Sequence, residues 1–277
     1  MTHYSLIKSL LLLPVIALST QAIGQLKPMD DSALDSTVGQ AYIEMDSYQN
    51  PNNLDRINRI TFGQTIKLQA NADSLILGDN GTLADVAASN VSFGYIDSNN
   101  DIVPFQFSDP FFEWSTNTDV SGNKDLTGFR VGFGEAQGIL QMDLTSFSGN
   151  INMLIDGKVS GLFKDGVASN NQANQIGVDG EACNLGTNCM SLANIKSLDV
   201  GDGSGGVTPD FFLSFQKTSS NWLLGKGIAT GTASDTYQST SSGFFMNIPT
   251  NDSITGSGTG TDGFKVEFID RGVGRWN

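Results

Sequence analysis

The chain of 277 residues has one histidine, His3, only two cysteines, and 15 Lys and Arg against 29 Asp and Glu. Each shortage excludes something. With no imidazole beyond residue 3, the body of the chain cannot build a Ser-His-Asp or Cys-His nucleophile, nor a histidine-ligated zinc or haem. A formal charge of −14 repels phosphate backbones and anionic headgroups, so no nucleic acid is expected as a partner. Long apolar runs are missing too. The run from Leu10 to Leu18 contains Pro14 and falls well short of the ~20 residues that a membrane helix needs. The chain is therefore not expected to be an integral membrane protein. Helical periodicity is also scarce.

What the N-terminus does contain is a leader pattern. Lys8 precedes Leu10-Leu11-Leu12-Leu13-Pro14-Val15-Ile16-Ala17-Leu18, and Ala22-Ile23-Gly24 supplies small residues at a cleavage site. A weakly basic start, a short apolar run and such a site predict a secretory signal peptide over residues 1–24. Cleavage would expose Gln25, leave no cysteine for acylation, and remove both His3 and Lys8. The expected product is an acidic exported protein of the periplasm, the cell surface or the extracellular space. Cysteine usage agrees: Cys183 and Cys189 lie close together, and in an oxidising compartment such a pair forms one local disulfide. It is neither a CxxC redox motif nor half of a zinc site, and it reads as a loop staple.

Strand patterns fill most of the remainder. Residues 60–70 alternate apolar and polar, as do Val91, Phe93 and Tyr95, then Val103, Phe105 and Phe107, then Phe129, Val131 and Phe133. Further runs follow around Leu140, Ile151, Phe211, Phe244 and Phe264, separated by Gly, Asn, Asp and Ser. This spacing predicts an all-β protein of mainly antiparallel, sandwich-like sheets. A loosely repeated rhythm of Gly138, Gly149 and Gly161 keeps a short β-solenoid open as the alternative. Residues 25–41 read as a short helical motif, with Asp30 or Asp31 as its N-terminal cap and Gly39 as its stop. Residues 42–277 read as a single β-rich domain, interrupted at 165–209 by a Gly-, Asn- and Ser-rich loop excursion.

Two stretches carry a resemblance. Leu26, Met29, Asp30, Asp31 and Leu34, running into Val38-Gly39-Gln40-Ala41, resemble the L-x-x-M/L-D-D-x-x-L…V-x-G-Q-A start of certain exported Gram-negative β-proteins. Within that group, residues 128–138 with Ser148-Gly149-Asn150-Ile151, and again 210–216, are similar to pilus-system proteins of the Fil type (FilA-like). The group often has Ala-Gly-Ile where this chain has Ala41-Tyr42-Ile43. The resemblance implies a pilus-associated or surface role among other exported proteins, and it brings no active site with it.

Chemistry-bearing constellations are few. Asp97, Asn99 and Asp101 have the D-x-N-x-D spacing of a calcium loop, but Ile102 stands where that loop needs glycine and no glutamate closes it. A hairpin turn is the plainer reading, and no cofactor is expected beyond weak calcium. Phe111-Phe112-Glu113-Trp114 and Asn221-Trp222-Leu223 are candidate glycan platforms, although phenylalanine at alternating strand positions reads first as core. A carboxylate-dependent hydrolase would need an acid pair in a cleft. At the C-terminus, Gly263-Phe264-Lys265-Val266-Glu267-Phe268 with the penultimate Trp276 reads as an ordinary final strand rather than a donated one. No catalytic residues and no enzymatic activity are expected. The expected function is that of a surface or pilus-associated structural protein, with an adhesin-like, glycan- or calcium-binding domain as the alternative.

Overall fold

The architecture is that of a computed structural model. It describes residues 43–50, 55–79, 81, 83–118, 121–202, 206–225, 236–255, 260–261 and 263, all of them within the compact unit Ala41–Asn277. The leader, the N-terminal motif from Leu26 to Gln40 and the final strand expected from Phe264 lie outside the described residues.

Among the described residues the chain is nearly all β and mostly antiparallel, in a sandwich-like arrangement without a closed barrel. It begins with β1 (Ile43–Gln49) and β2 (Arg56–Phe62), then β3 (Thr65–Leu68), β4 (Ala70–Leu77) and β5 (Val86–Phe93). The short β6 (Tyr95–Ile96) and β7 (Ile102–Val103) lead to two long strands, β8 (Phe105–Thr118) and β9 (Lys124–Phe147). Next come β10 (Gly149–Ile155), β11 (Lys158–Lys164), β12 (Val167–Ala168), β13 (Gln175–Val178) and β14 (Cys189–Ser191). A 3₁₀ turn at Leu192–Asn194 precedes β15 (Ser197–Val200) and β16 (Phe211–Gln216). The hairpin β17 (Ser220–Leu223) and β18 (Tyr237–Thr240) and the strand β19 (Gly243–Ile254) complete the order.

The main sheet runs β1-β2-β8-β9-β16-β19-β10-β11-β13-β14. The second layer is β4-β5-β9-β15, and β9 belongs to both. Its first half pairs with β8 and β16, and its second half with β5 and β15. The change occurs at Gly138, whose φ of 132° and closeness to Phe105 leave no room for a side chain. Between the layers lies the principal core, with Phe105, Phe107, Leu140, Phe147, Ile151, Ile176 and Leu198 all buried.

Two expectations need correction. A solenoid stacks successive coils through parallel pairs, whereas β10–β19 is the parallel pair among the described strands and the other named pairs are antiparallel. The stretch 165–209 is not a loop excursion either. It carries β12 to β15, extends the main sheet through β13 and β14, and edges the second layer with β15. Ile176, Val178, Met190, Leu192, Ile195, Leu198 and Val200 are buried from it. Its strands are two to four residues long and separated by polar turns, so local composition hides them.

Candidate functional site

The strands β1, β2, β8, β9, β16 and β19 present two faces of different character. On one, Arg59, Glu113 and Arg130 form a direct cross-strand row, since Arg59 pairs with Glu113 and Glu113 with Arg130. Glu113 Oε2 accepts from Arg130 Nε at 2.5 Å, and Oε1 lies 2.8 Å from Arg59 Nε as an ion pair. Tyr48 donates its hydroxyl to the same Oε1 at 3.2 Å. Arg130 also donates to the carbonyl of Leu223 and stacks over Phe111, Phe212 and Trp222. Burial is the largest single influence on Arg130 and works against its charge, but Glu113, through its charge and hydrogen bond, together with Tyr48 and Asp210 outweighs it and holds the guanidinium protonated. Burial first, and then the Glu113 charge, push the Tyr48 hydroxyl well above its ordinary range. The hairpin β17–β18 covers this face, with Trp222 fully buried beside Tyr48, Ile57 and Leu223. The arrangement is a closed electrostatic core, built to hold strands together rather than to meet solvent.

The opposite face carries a strip of aromatic and aliphatic side chains. Phe112 faces Val131, Leu213 and Met246 in one cross-strand row; Trp114, Phe129, Phe215 and Phe244 form the next. Ring centroids along the second row are 5.7 Å apart at Phe129–Phe215 and 5.0 Å at Phe215–Phe244, and Phe112 stacks on both Trp114 and Phe129. Ile60, Met45 and Ile43 extend the strip to the sheet edge through the pairing of β8, β2 and β1. It continues the face that forms the core: Phe133 stacks on buried Phe107 at 3.9 Å, and Met246 and Leu213 pack into the same cluster. Among the described residues the second layer ends before the strip does. Phe112 is therefore 40% exposed, Val131 43%, Ile43 52% and Met45 71%, while Trp114, Phe129, Phe215 and Phe244 are half-buried. Single exposed apolar residues are ordinary, but a contiguous row across six strands marks an interaction surface.

An open edge adjoins the second layer. Strand β4 pairs only with β5 among the described strands, leaving its outer row of peptide groups without a ladder partner. Ile76 stands exposed on it. Eight residues of edge strand with one charge, Asp73, form a template for strand addition.

The sequence-predicted residues fall elsewhere. Cys183 and Cys189 are disulfide-bonded, with Cα atoms 5.1 Å apart, and staple the turn before β14. Asp97, Asn99 and Asp101 make the turn between β6 and β7. There Asp97 Oδ1 accepts from the main-chain N–H groups of Asn99 and Asp101, so its carboxylate closes the turn. Among the described residues no group of three or more Asp, Glu, Cys or His has metal-binding spacing. Of the glycan candidates, Trp222 donates Nε1–H to Gln216 inside the protein, and Phe111 and Glu113 are buried. Phe112 and Trp114 join the open strip. Two partly buried acids meet at Asp199 and Asp252, where Asp252 Oδ2 accepts from the Asp199 N–H and the Thr250 hydroxyl. Burial raises both carboxyls, most of all among their causes. Sequence reasoning missed the Arg59–Glu113–Arg130 row. Its signal was a charge centred in each of three strand-like runs, but the pairing of those runs is set by register.

Among the described residues no helix is long and apolar enough to cross a membrane. Comparison with protein-family models, with curated proteins and with solved structures finds no match to the chain.

Proposed function

We propose that the chain is an exported surface or pilus-associated structural protein whose aromatic strip receives the apolar face of another exported protein. One observation carries the reading: the strip is the continuation of the hydrophobic core beyond the second layer, so among the described residues part of the main sheet has no facing layer of the kind a sandwich supplies. An added layer would bury Phe112, Trp114, Val131 and Met45, and at roughly 25 cal/mol per Å² of apolar surface that burial drives association. The open edge of β4 supports the same reading, as does the acidic balance, which keeps a protein with such a strip soluble before it meets its partner. Export rests on the leader pattern of residues 1–24, on the local disulfide, and on the Fil-type resemblance.

Fractionation of cells that make the protein tests this. The wild type is expected in purified filaments or the outer-membrane fraction, with residues 1–24 removed on mass spectrometry. The pair Phe112→Ser with Val131→Lys is expected to leave that fraction and appear as folded free protein. Absence of the wild type from both fractions, or equal retention of the variant, would refute the reading.

A further inference from the structure

The hairpin of β10 and β11 is paired only at its closed end, Leu154 with Val159 and Ile155 with Lys158. Beyond that point β10 stays with β19 and β11 with β13, so the two strands splay. Ser160 braces the fork, donating its hydroxyl to the Ile151 carbonyl at 2.8 Å and accepting from the Met153 N–H at 3.2 Å. The far end is tied across by the Gly149 N–H to the Asn170 carbonyl and the Ser169 N–H to the Leu162 carbonyl. A wedge-shaped groove of about 380 Å³ remains between the strands, near the small end of the ~300–1,000 Å³ typical of small-molecule sites.

Its lining is selective. Asn150, Asn152, Ser160, Asn170 and Asp179 supply amide, hydroxyl and carboxylate groups. Among the described residues neither a cationic nor an aromatic side chain lines it, which disfavours anions and flat apolar ligands. One carboxylate is too little fixed charge for a hard cation, which gathers six to eight oxygens with several of them anionic. Amides and a carboxylate together match a ligand with many neutral hydroxyls, each both donor and acceptor. The groups are also pre-set. Asn150 is held by its Nδ2, which donates to Gln238 at 2.7 Å and Asn247 at 3.3 Å. Gly161 lets Asp179 lie across β11, because a Cβ there would sit about 3.0 Å from its Oδ1. By contrast, the side chains of Asn152, Asn170 and Asp179 have no hydrogen-bond partner among the described residues and stand exposed at the mouth.

We propose that this wedge binds one uncharged sugar unit at the end of a glycan. Closure at both ends admits a single terminal ring rather than a chain passing through. The Asp179 carboxylate accepts from two neighbouring hydroxyls, while Asn152 and Asn170 donate to and accept from the next ones. The site is separate from the aromatic strip and does not depend on the assembly role.

Saturation-transfer NMR on the purified protein with galactose, glucose, mannose, N-acetylglucosamine and N-acetylgalactosamine tests the proposal. At least one sugar is expected to receive transfer, with dissociation constants on the order of 1 mM. Asp179→Ala and Asn152→Ala should each weaken that sugar tenfold or more without moving the melting temperature, since neither side chain has a partner to lose. The pair Phe112→Ser with Val131→Lys should bind the sugar as the wild type does, which separates this site from the strip. Transfer to none of the five, or undiminished transfer in both groove variants, would overturn the proposal. So would a calcium titration in which the metal alone binds and Asp179→Ala abolishes it.

Discussion

At the scale of single residues, the decisive group is Glu113, the carboxylate between two buried guanidiniums. Removing one partner of a buried ion pair leaves the others charged and desolvated. Glu113→Ala is therefore expected to cost about 3–5 kcal/mol in urea unfolding, and Glu113→Gln to recover only part of it. Gly132 is the second sensitive point, because a Cβ there would meet the Phe111 ring and the Phe212 Cβ. Gly132→Ala should cost about 1–3 kcal/mol as an overpacked core does. A third effect depends on pH. Burial, opposed by the Asp199 N–H and the Thr250 hydroxyl, raises the Asp252 carboxyl above its unfolded value near 3.9. A raised carboxyl contributes stability that is complete below the unfolded value and is lost as pH climbs through the folded one. Asp252→Asn should therefore flatten the decline in melting temperature over the weakly acidic range just above pH ~3.9. Asp143 has the opposite sign: bonds from Lys196 and Asn90 lower it, so its contribution is lost at the acid end.

At the scale of elements, strand existence was legible and strand facing was not. Residues 129–133 alternate in a way that reads as Phe129, Val131 and Phe133 inward. The structure does bury Phe107 against Phe133, yet it leaves Val131 exposed and seals Arg130 completely. The reason is that both faces of this sheet are apolar along part of its length, so alternation alone does not say which face is covered. Strand β8 adds a second obstacle. Asp109, with φ of 52°, breaks the pleat between Phe107 and Phe111, so odd-numbered positions before and after it serve different faces. Short strands were the other blind spot: β13, β14 and β15 are defined by what they pair with, and Gly- and Asn-rich surroundings mask them. The disulfide was legible because two cysteines allow one pairing. Closing so small a loop should stabilise β14 by about 2 kcal/mol. The double variant Cys183→Ser with Cys189→Ser is expected to show that loss in thermal unfolding, with faster amide exchange at Met190 than at Phe211.

At the scale of the whole molecule, the second layer formed by the described strands stops short of the main sheet and leaves the aromatic strip open. Native protein should bind an anionic naphthalene dye that reports exposed apolar surface, and Phe112→Ser with Val131→Lys should abolish most of that fluorescence while far-UV circular dichroism stays unchanged. Equal fluorescence in the two proteins would place the exposed surface elsewhere. Composition and periodicity by themselves determined that this chain is acidic, disulfide-bearing and built of strands, because charge, cysteine number and period-two alternation are properties of neighbouring residues. Only the tertiary structure decided that three charges from distant strands make one buried row, that β10 and β11 part around a polar wedge, and that the aromatic row lies outside. Each of these depends on which strands pair and where the covering layer ends, and neither quantity is written in any local stretch of the chain.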